Sequence, residues 1–138
     1  MIMKKALLFS FCFVVLVVLT AQLSSCTKRD ITNPPGVGFN NITGYIYEDT
    51  VLYRNSIASI WVYANKLGVE DLLEGGSIQR SINGGPDTTL VSMKFISTQF
   101  TQFYAFQLGD SGNRYKYIFT FYNQNGVSGS DSLTITTN

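Results

Sequence analysis

Two hydrophobic patterns divide this chain. From Ala6 to Leu19 apolar residues run almost without a break, Lys4 and Lys5 stand in front of them, and polarity returns at Thr20 and Gln22. A positive start, a short apolar middle and a small-residue end make the plan of an export signal. The block is shorter than the roughly 20 apolar residues that a spanning helix needs. Beyond it the pattern changes to alternation. Segments rich in β-branched and aromatic residues recur between turn signals, and none keeps a helical spacing for long.

Candidate strands are Ile42 to Glu48, Ile57 to Asn65, Ser77 to Asn83, Thr88 to Ile96, Gln102 to Leu108, Arg114 to Tyr122 and Ser130 to Thr136. The clearest is the one at Arg114, where period two sets Tyr115, Tyr117, Phe119 and Phe121 on one face, which must be core. The same alternation groups Val91, Met93 and Phe95, then Tyr104, Phe106 and Leu108, then Leu133 and Ile135. About seven short strands with apolar faces predict an all-β sandwich of two sheets. Lys66 to Glu74 offers one short helical turn before Gly75-Gly76, and is expected to be a connector. Thr27 to Asn41, broken by Pro34-Pro35-Gly36, is expected to be a flexible tether of up to roughly 50 Å.

Composition removes several kinds of chemistry. With no histidine, nucleophile–histidine catalysis, histidine metal sites and a histidine pH switch are excluded. Ten basic residues against nine acidic ones, with no basic stripe, argue against a nucleic-acid partner. The two cysteines are Cys12, inside the apolar block, and Cys26, just after it.

Leu23-Ser24-Ser25-Cys26 resembles the lipobox of bacterial lipoproteins of the Bacteroidetes type. The resemblance implies cleavage before Cys26, diacylglyceryl attachment to its sulfur and acylation of the freed amine, which leaves no thiol for a disulfide. Several acyl chains, at about 0.8 kcal/mol per buried methylene, hold a protein firmly. The expected organisation is a signal peptide over residues 1–25, a lipidated N-terminus and tether over 26–41, and a β-sandwich over 42–138. The expected location is the bacterial envelope, on the outer membrane and facing the periplasm, because Thr27-Lys28-Arg29-Asp30 holds no acidic cluster of the sort linked with surface export.

From about residue 57 to 137 the chain resembles the Ig-like and fibronectin-III-like modules of bacterial envelope proteins. Ser81-Ile82-Asn83-Gly84-Gly85, Val91-Ser92-Met93, Tyr104-Ala105-Phe106-Gln107-Leu108 and Asn123-Gln124-Asn125-Gly126 carry the likeness. Gln79 and Arg80 stand where such a strand usually has Tyr or Trp. The likeness concerns fold and leaves activity open.

Candidate sites are few. Glu70, Asp71 and Glu74 could give oxygens to calcium, but their spacing fits no calcium loop, and a solvated acidic loop is the expectation, with no metal. Trp61 is either the core Trp of a sandwich or part of an exposed platform with Tyr63, Ile118 and Tyr122 that suits a sugar ring or an apolar partner. Asp49-Thr50-Val51, Asp87-Thr88-Thr89 and Asp131-Ser132-Leu133 fit both Bacteroidetes O-glycosylation and ordinary turn chemistry. Asn41-Ile42-Thr43 matches the N-glycosylation pattern. No catalytic residue and no cofactor are expected. The reading is a lipid-anchored, non-enzymatic binding or assembly module for a protein or glycan partner. Glycan capture through Trp61 is the alternative, and an enzyme using Asp, Glu, Tyr and Ser alone is a remoter one.

Overall fold

A computed structural model of the chain describes residues 32–69 and 71–138, so the apolar block and the sequence Leu23, Ser24, Ser25, Cys26 lie outside the described residues. The strands are β1 Gly36–Phe39, β2 Thr50–Leu52, β3 Ile57–Asn65, β4 Leu73–Ile82, β5 Thr88–Ser97, β6 Gln99–Gln107, β7 Arg114–Asn123 and β8 Ser128–Thr137. They form a three-stranded sheet in the order β1-β3-β6 and a five-stranded sheet in the order β2-β8-β7-β4-β5. The described residues form the expected all-β sandwich of two sheets, with eight strands rather than about seven. Neighbours pair antiparallel except β2 and β8, which run parallel.

Alternation builds the core. On β7, Tyr115, Tyr117, Phe119 and Phe121 are all buried, and Leu133 and Ile135 of β8 join them. Ala58, Ile60, Val62 and Ala64 of β3 meet them from the other sheet, each fully buried. Rings bridge the sheets: Phe106 stacks on Tyr117 at 4.6 Å, and Phe100 lies 5.0 Å from both Phe95 and Phe121. Pairs of this geometry contribute about 0.5–1.5 kcal/mol each beyond their burial. Thr98 alone separates β5 from β6, yet the two strands belong to different sheets, so the chain turns a corner there. The inward side chains along that side, Met93, Phe95, Tyr104 and Phe106, are only half-buried.

Three sequence expectations are corrected. The tether does not reach Asn41, because Gly36–Phe39 is strand β1, paired with β3 from Gly36↔Asn65 to Phe39↔Val62. Val37 and Phe39 turn into the core, where Phe39 meets Phe119 edge to face at 5.3 Å. The two prolines that break the periodicity stand just before the strand, where no ladder N–H is required. The domain therefore includes residues that the sequence assigned to the tether.

Ile42 to Glu48 is a turn, with Gly44 at φ 92° and a single bridge from Ile46 to Ile60. Lys66 to Glu74 forms no helical turn over its described residues. Leu73, fully buried, already belongs to β4, and Gly75-Gly76 lie inside that strand instead of stopping a helix. They are close-approach glycines. A Cβ on Gly75 would collide with the Met93 carbonyl oxygen and stand 2.5 Å from the Tyr122 hydroxyl.

Candidate functional site

On β3 the inward positions belong to Ala58, Ile60, Val62 and Ala64, so Trp61 and Tyr63 project from the opposite, outer side and are half-buried there. Trp61 is not a core Trp. Ile118 and Tyr122 alternate with the buried residues of β7 and face outward from the five-stranded sheet. The four residues expected to make one platform are thus divided between the two outer faces of the sandwich, with the core between them. Period two placed each side chain on its strand correctly, but assigning the strands to sheets requires the topology. Tyr122 also lies across Gly75 and is taken up in covering that glycine.

A different aromatic group forms around Trp61. Its cross-strand partner on β6 is Phe103, 60% exposed. Tyr45 reaches over from the turn beside β3 and meets Trp61 edge to face at 5.2 Å and Phe103 at 6.3 Å. That turn is held in place by the Ile46 N–H donating to the Ser59 carbonyl at 2.8 Å, while the Tyr45 N–H donates to the Ile42 carbonyl at 3.0 Å. The Trp61 indole N–H donates to the Thr101 hydroxyl at 2.8 Å, which fixes the ring against β6. Beyond this group Tyr63 folds across Gly38, where a Cβ would stand 2.5 Å from the Tyr63 hydroxyl. Tyr45 and Phe103 were missed in the sequence. Phe103 had a signal, since placing Tyr104 and Phe106 inward forces Phe103 outward; Tyr45 had none, because it sits in a turn that resembled a strand.

The two outer faces differ in charge. Outward positions of β1, β3 and β6 carry aromatic, hydroxyl, amide and small side chains, such as Ser59, Asn65, Gln99, Thr101 and Gln107, together with exposed Ile57, and no ionic group. Next to the aromatic group lies an open depression of about 350 Å³ lined by Asn40, Tyr63, Asn65, Gln99, Phe100 and Thr101. The outer face of the five-stranded sheet instead presents Lys94, Arg114 and Lys116 among many hydroxyls. Its depression of about 390 Å³ lies between Asp49 and Arg114, floored by Thr134 and Thr136.

At Asp71 the acidic segment is not solvated. Asp71 is buried, and its carboxylate accepts hydrogen bonds from the Asn125 side chain at 2.8 Å and the Asn33 backbone N–H at 3.3 Å. Asn123, fully buried, donates to the Asn33 carbonyl at 3.2 Å and accepts from the backbone of Asn125 and Val127. Glu74 is exposed on β4, and Glu70 lies outside the described residues. Among the described residues no group of three or more His, Cys, Asp or Glu could hold a metal ion. At two of the Asp-Ser/Thr sites the carboxylate is engaged in backbone chemistry: Asp49 accepts from the Thr134 N–H at 2.6 Å and Asp131 from the Ser132 N–H at 2.8 Å. Thr88 and Ser132 are exposed, as are Asn41 and Thr43.

One polar pair points inward. Arg80 of β4 lies opposite Tyr117 of β7, and both the Arg80 Nε and the Tyr117 hydroxyl are buried without a hydrogen-bond partner among the described residues. Burial pushes the Tyr117 hydroxyl up from its ordinary value, and the nearby Arg80 charge offsets part of that rise although the geometry falls short of a hydrogen bond. Burial alone raises Tyr104, whose hydroxyl lies 3.7 Å from the Met93 sulfur.

No protein-family model and no curated protein matches this chain. Among solved structures, the sporulation control protein Spo0M from Bacillus subtilis is similar with a TM-score of 0.47 and 11% identity, over 77% of this chain and 51% of that one. The chain thus spans about half the length of Spo0M. The CARDB domain of a Pyrococcus furiosus protein, solved in complex with di-metal ions, is similar with a TM-score of 0.40 and 16% identity, over 76% of this chain and 93% of that one.

Proposed function

We propose that this chain is a lipid-anchored protein of the bacterial envelope that acts by contact rather than by catalysis, and that its contact surface is the outer face of the three-stranded sheet. Cys26 carries the anchor, behind Leu23, Ser24 and Ser25, and the sandwich presents Trp61, Phe103 and Tyr45 to a partner. The observation that carries the contact reading is the uncharged aromatic group of exposed Phe103 with half-buried Trp61 and Tyr45, held by Thr101 and by the turn beside β3. Rigid aromatic groups with a polar surround are the usual anchors of recognition surfaces. A scaffold of this kind needs no reactive side chain to bind.

Because Asn33 is already fastened to the domain, the leash is short. Only Thr27 to Thr32 lie between the anchor and that point, a reach of about 20 Å when fully extended at roughly 3.3–3.6 Å per residue. The partner is therefore something close to the membrane surface or able to approach it. Metabolic labelling with an alkynyl fatty acid tests the anchor. Wild type should incorporate label and stay with the membrane fraction, and Cys26→Ser should do neither; a Cys26→Ser protein that remains membrane-bound overturns the anchoring half. A photo-cross-linking residue at position 103, compared with one at Lys116 on the other face, tests the contact half in intact cells. Adducts, whether to protein or to polysaccharide, should form at 103 and not at 116.

A further inference from the structure

We infer that the outer face of the three-stranded sheet binds a neutral polysaccharide, an inference that rests on the contact surface proposed above and names its ligand. Three observations converge on that class. The first is chemical. Aromatic rings offer flat apolar area to the C–H faces of pyranose rings, and near them stand uncharged groups that exchange hydrogen bonds with hydroxyls: Asn40, Asn65, Gln99 and Thr101.

The second is charge. All outward positions of β1, β3 and β6 are uncharged, while Lys94, Arg114 and Lys116 occupy the opposite face. An anionic polymer would meet cations on that opposite face and none beside Trp61. A protein partner commonly adds ionic groups at its rim, and none faces outward on these strands.

The third is size. The open depression of about 350 Å³, lined by Tyr63, Phe100 and the Thr101 that accepts from Trp61, has the size of small-ligand sites, whereas a stable protein interface needs about 800 Å² per partner with a tightly packed centre. Tyr63 and Thr101 are cross-strand partners, and Trp61 with Phe103 are the next outward pair along the same two strands. A sugar chain lying along these strands would meet Phe103 and the edge of Trp61 first, then Tyr63 and Thr101, and then the amides of Asn65 and Gln99, about 13 Å from the first pair at roughly 3.3 Å per residue. The indole N–H is already committed to Thr101, so Trp61 contributes its ring and not a hydrogen bond.

Affinity electrophoresis of the folded protein in gels holding laminarin, mannan, xyloglucan or soluble starch, with polygalacturonate and heparin as anionic probes, tests this directly. At least one neutral polysaccharide should retard the protein. Phe103→Ala should weaken the retardation about tenfold or more, and Lys116→Ala should leave it unchanged. Because Phe103 is 60% exposed, its removal spares the core; Phe103→Lys, which puts a charge on the neutral face, is the second variant and should abolish retardation. The single Trp of the chain gives an independent readout, since its emission should shift when the retarding glycan is added. No retardation by any of the neutral polymers, retardation that survives in Phe103→Lys, or a preference for the anionic probes overturns the inference. A protein adduct at position 103 combined with no glycan retardation removes the glycan and keeps the contact surface, whereas the absence of both removes the two together.

Discussion

The Trp61 indole N–H donates to the Thr101 hydroxyl at 2.8 Å, diagonally across the outer face between β3 and β6. The bond sets the orientation of the ring and leaves its polar edge satisfied. Thr101→Val keeps the shape and removes the acceptor. The bond lies at an exposed site, so stability should fall by no more than about 1 kcal/mol. Trp61 emission should move to the red as its N–H turns to water. A fluorescence spectrum that stays at the wild-type maximum would show that the ring is held by packing against Tyr45 alone.

Asp71 joins the chain segment before β1 to the turn after β7, through Asn33 and Asn125. Asp71→Ala removes the acceptor of two donors on Asn33 and Asn125, both exposed enough to turn to water, at a cost of about 0.5–1.5 kcal/mol. Asp71→Asn retains one acceptor oxygen and should cost less. Urea unfolding of both variants checks the order. Melting in the presence of calcium and then of a chelator should give one temperature, because the Asp71 oxygens are used within the protein.

Gly129 of β8 lies against the carbonyl of Pro35, which a Cβ at that position would strike. Gly129→Ala should push the segment before β1 off the sandwich, at about 1–3 kcal/mol for an overpacked site. Gly38→Ala should be milder, since it meets only the movable end of Tyr63. Amide exchange across β1 would report the difference, with faster exchange expected in Gly129→Ala.

High pH should unfold the domain early. Burial raises the hydroxyls of Tyr104 and Tyr117 above their ordinary value of 10.0. The folded protein therefore holds protons that the unfolded chain releases, so this part of the stability is intact below pH 10 and is lost as pH climbs towards the raised folded values. Tyr104→Phe and Tyr117→Phe should each flatten the fall in melting temperature above pH 10. An unchanged slope in both variants would place the alkaline transition elsewhere.

Much of the fold was legible along the chain. The strand from Ile57 to Asn65 is found at the residues where alternation places it, and the inward Tyr and Phe residues of β7 follow from period two. What escaped was short or irregular. β1 is only four residues long and follows two prolines, so its apolar Val37 and Phe39 gave no periodic signal. Gly75-Gly76 imitates a helix stop, while its actual use is to let Tyr122 and the Met93 backbone approach β4. The site was half legible. Trp61 and Tyr63 could be paired on one strand face, but whether Ile118 or Phe103 stands beside them depends on which strands share a sheet, and local sequence does not encode that.

The fastening of Asn33 by Asp71 and Asn123 has a mechanical consequence. Tension arriving from upstream of Thr32 is taken first by these two side chains and by the Pro35 contact on Gly129, before it reaches the ladder of β1. They act as a strain relief, as on a cable where it enters its plug. Under the anchoring proposed above, a pull on the segment before β1 meets these contacts at the rim before it reaches the aromatic rings on β3.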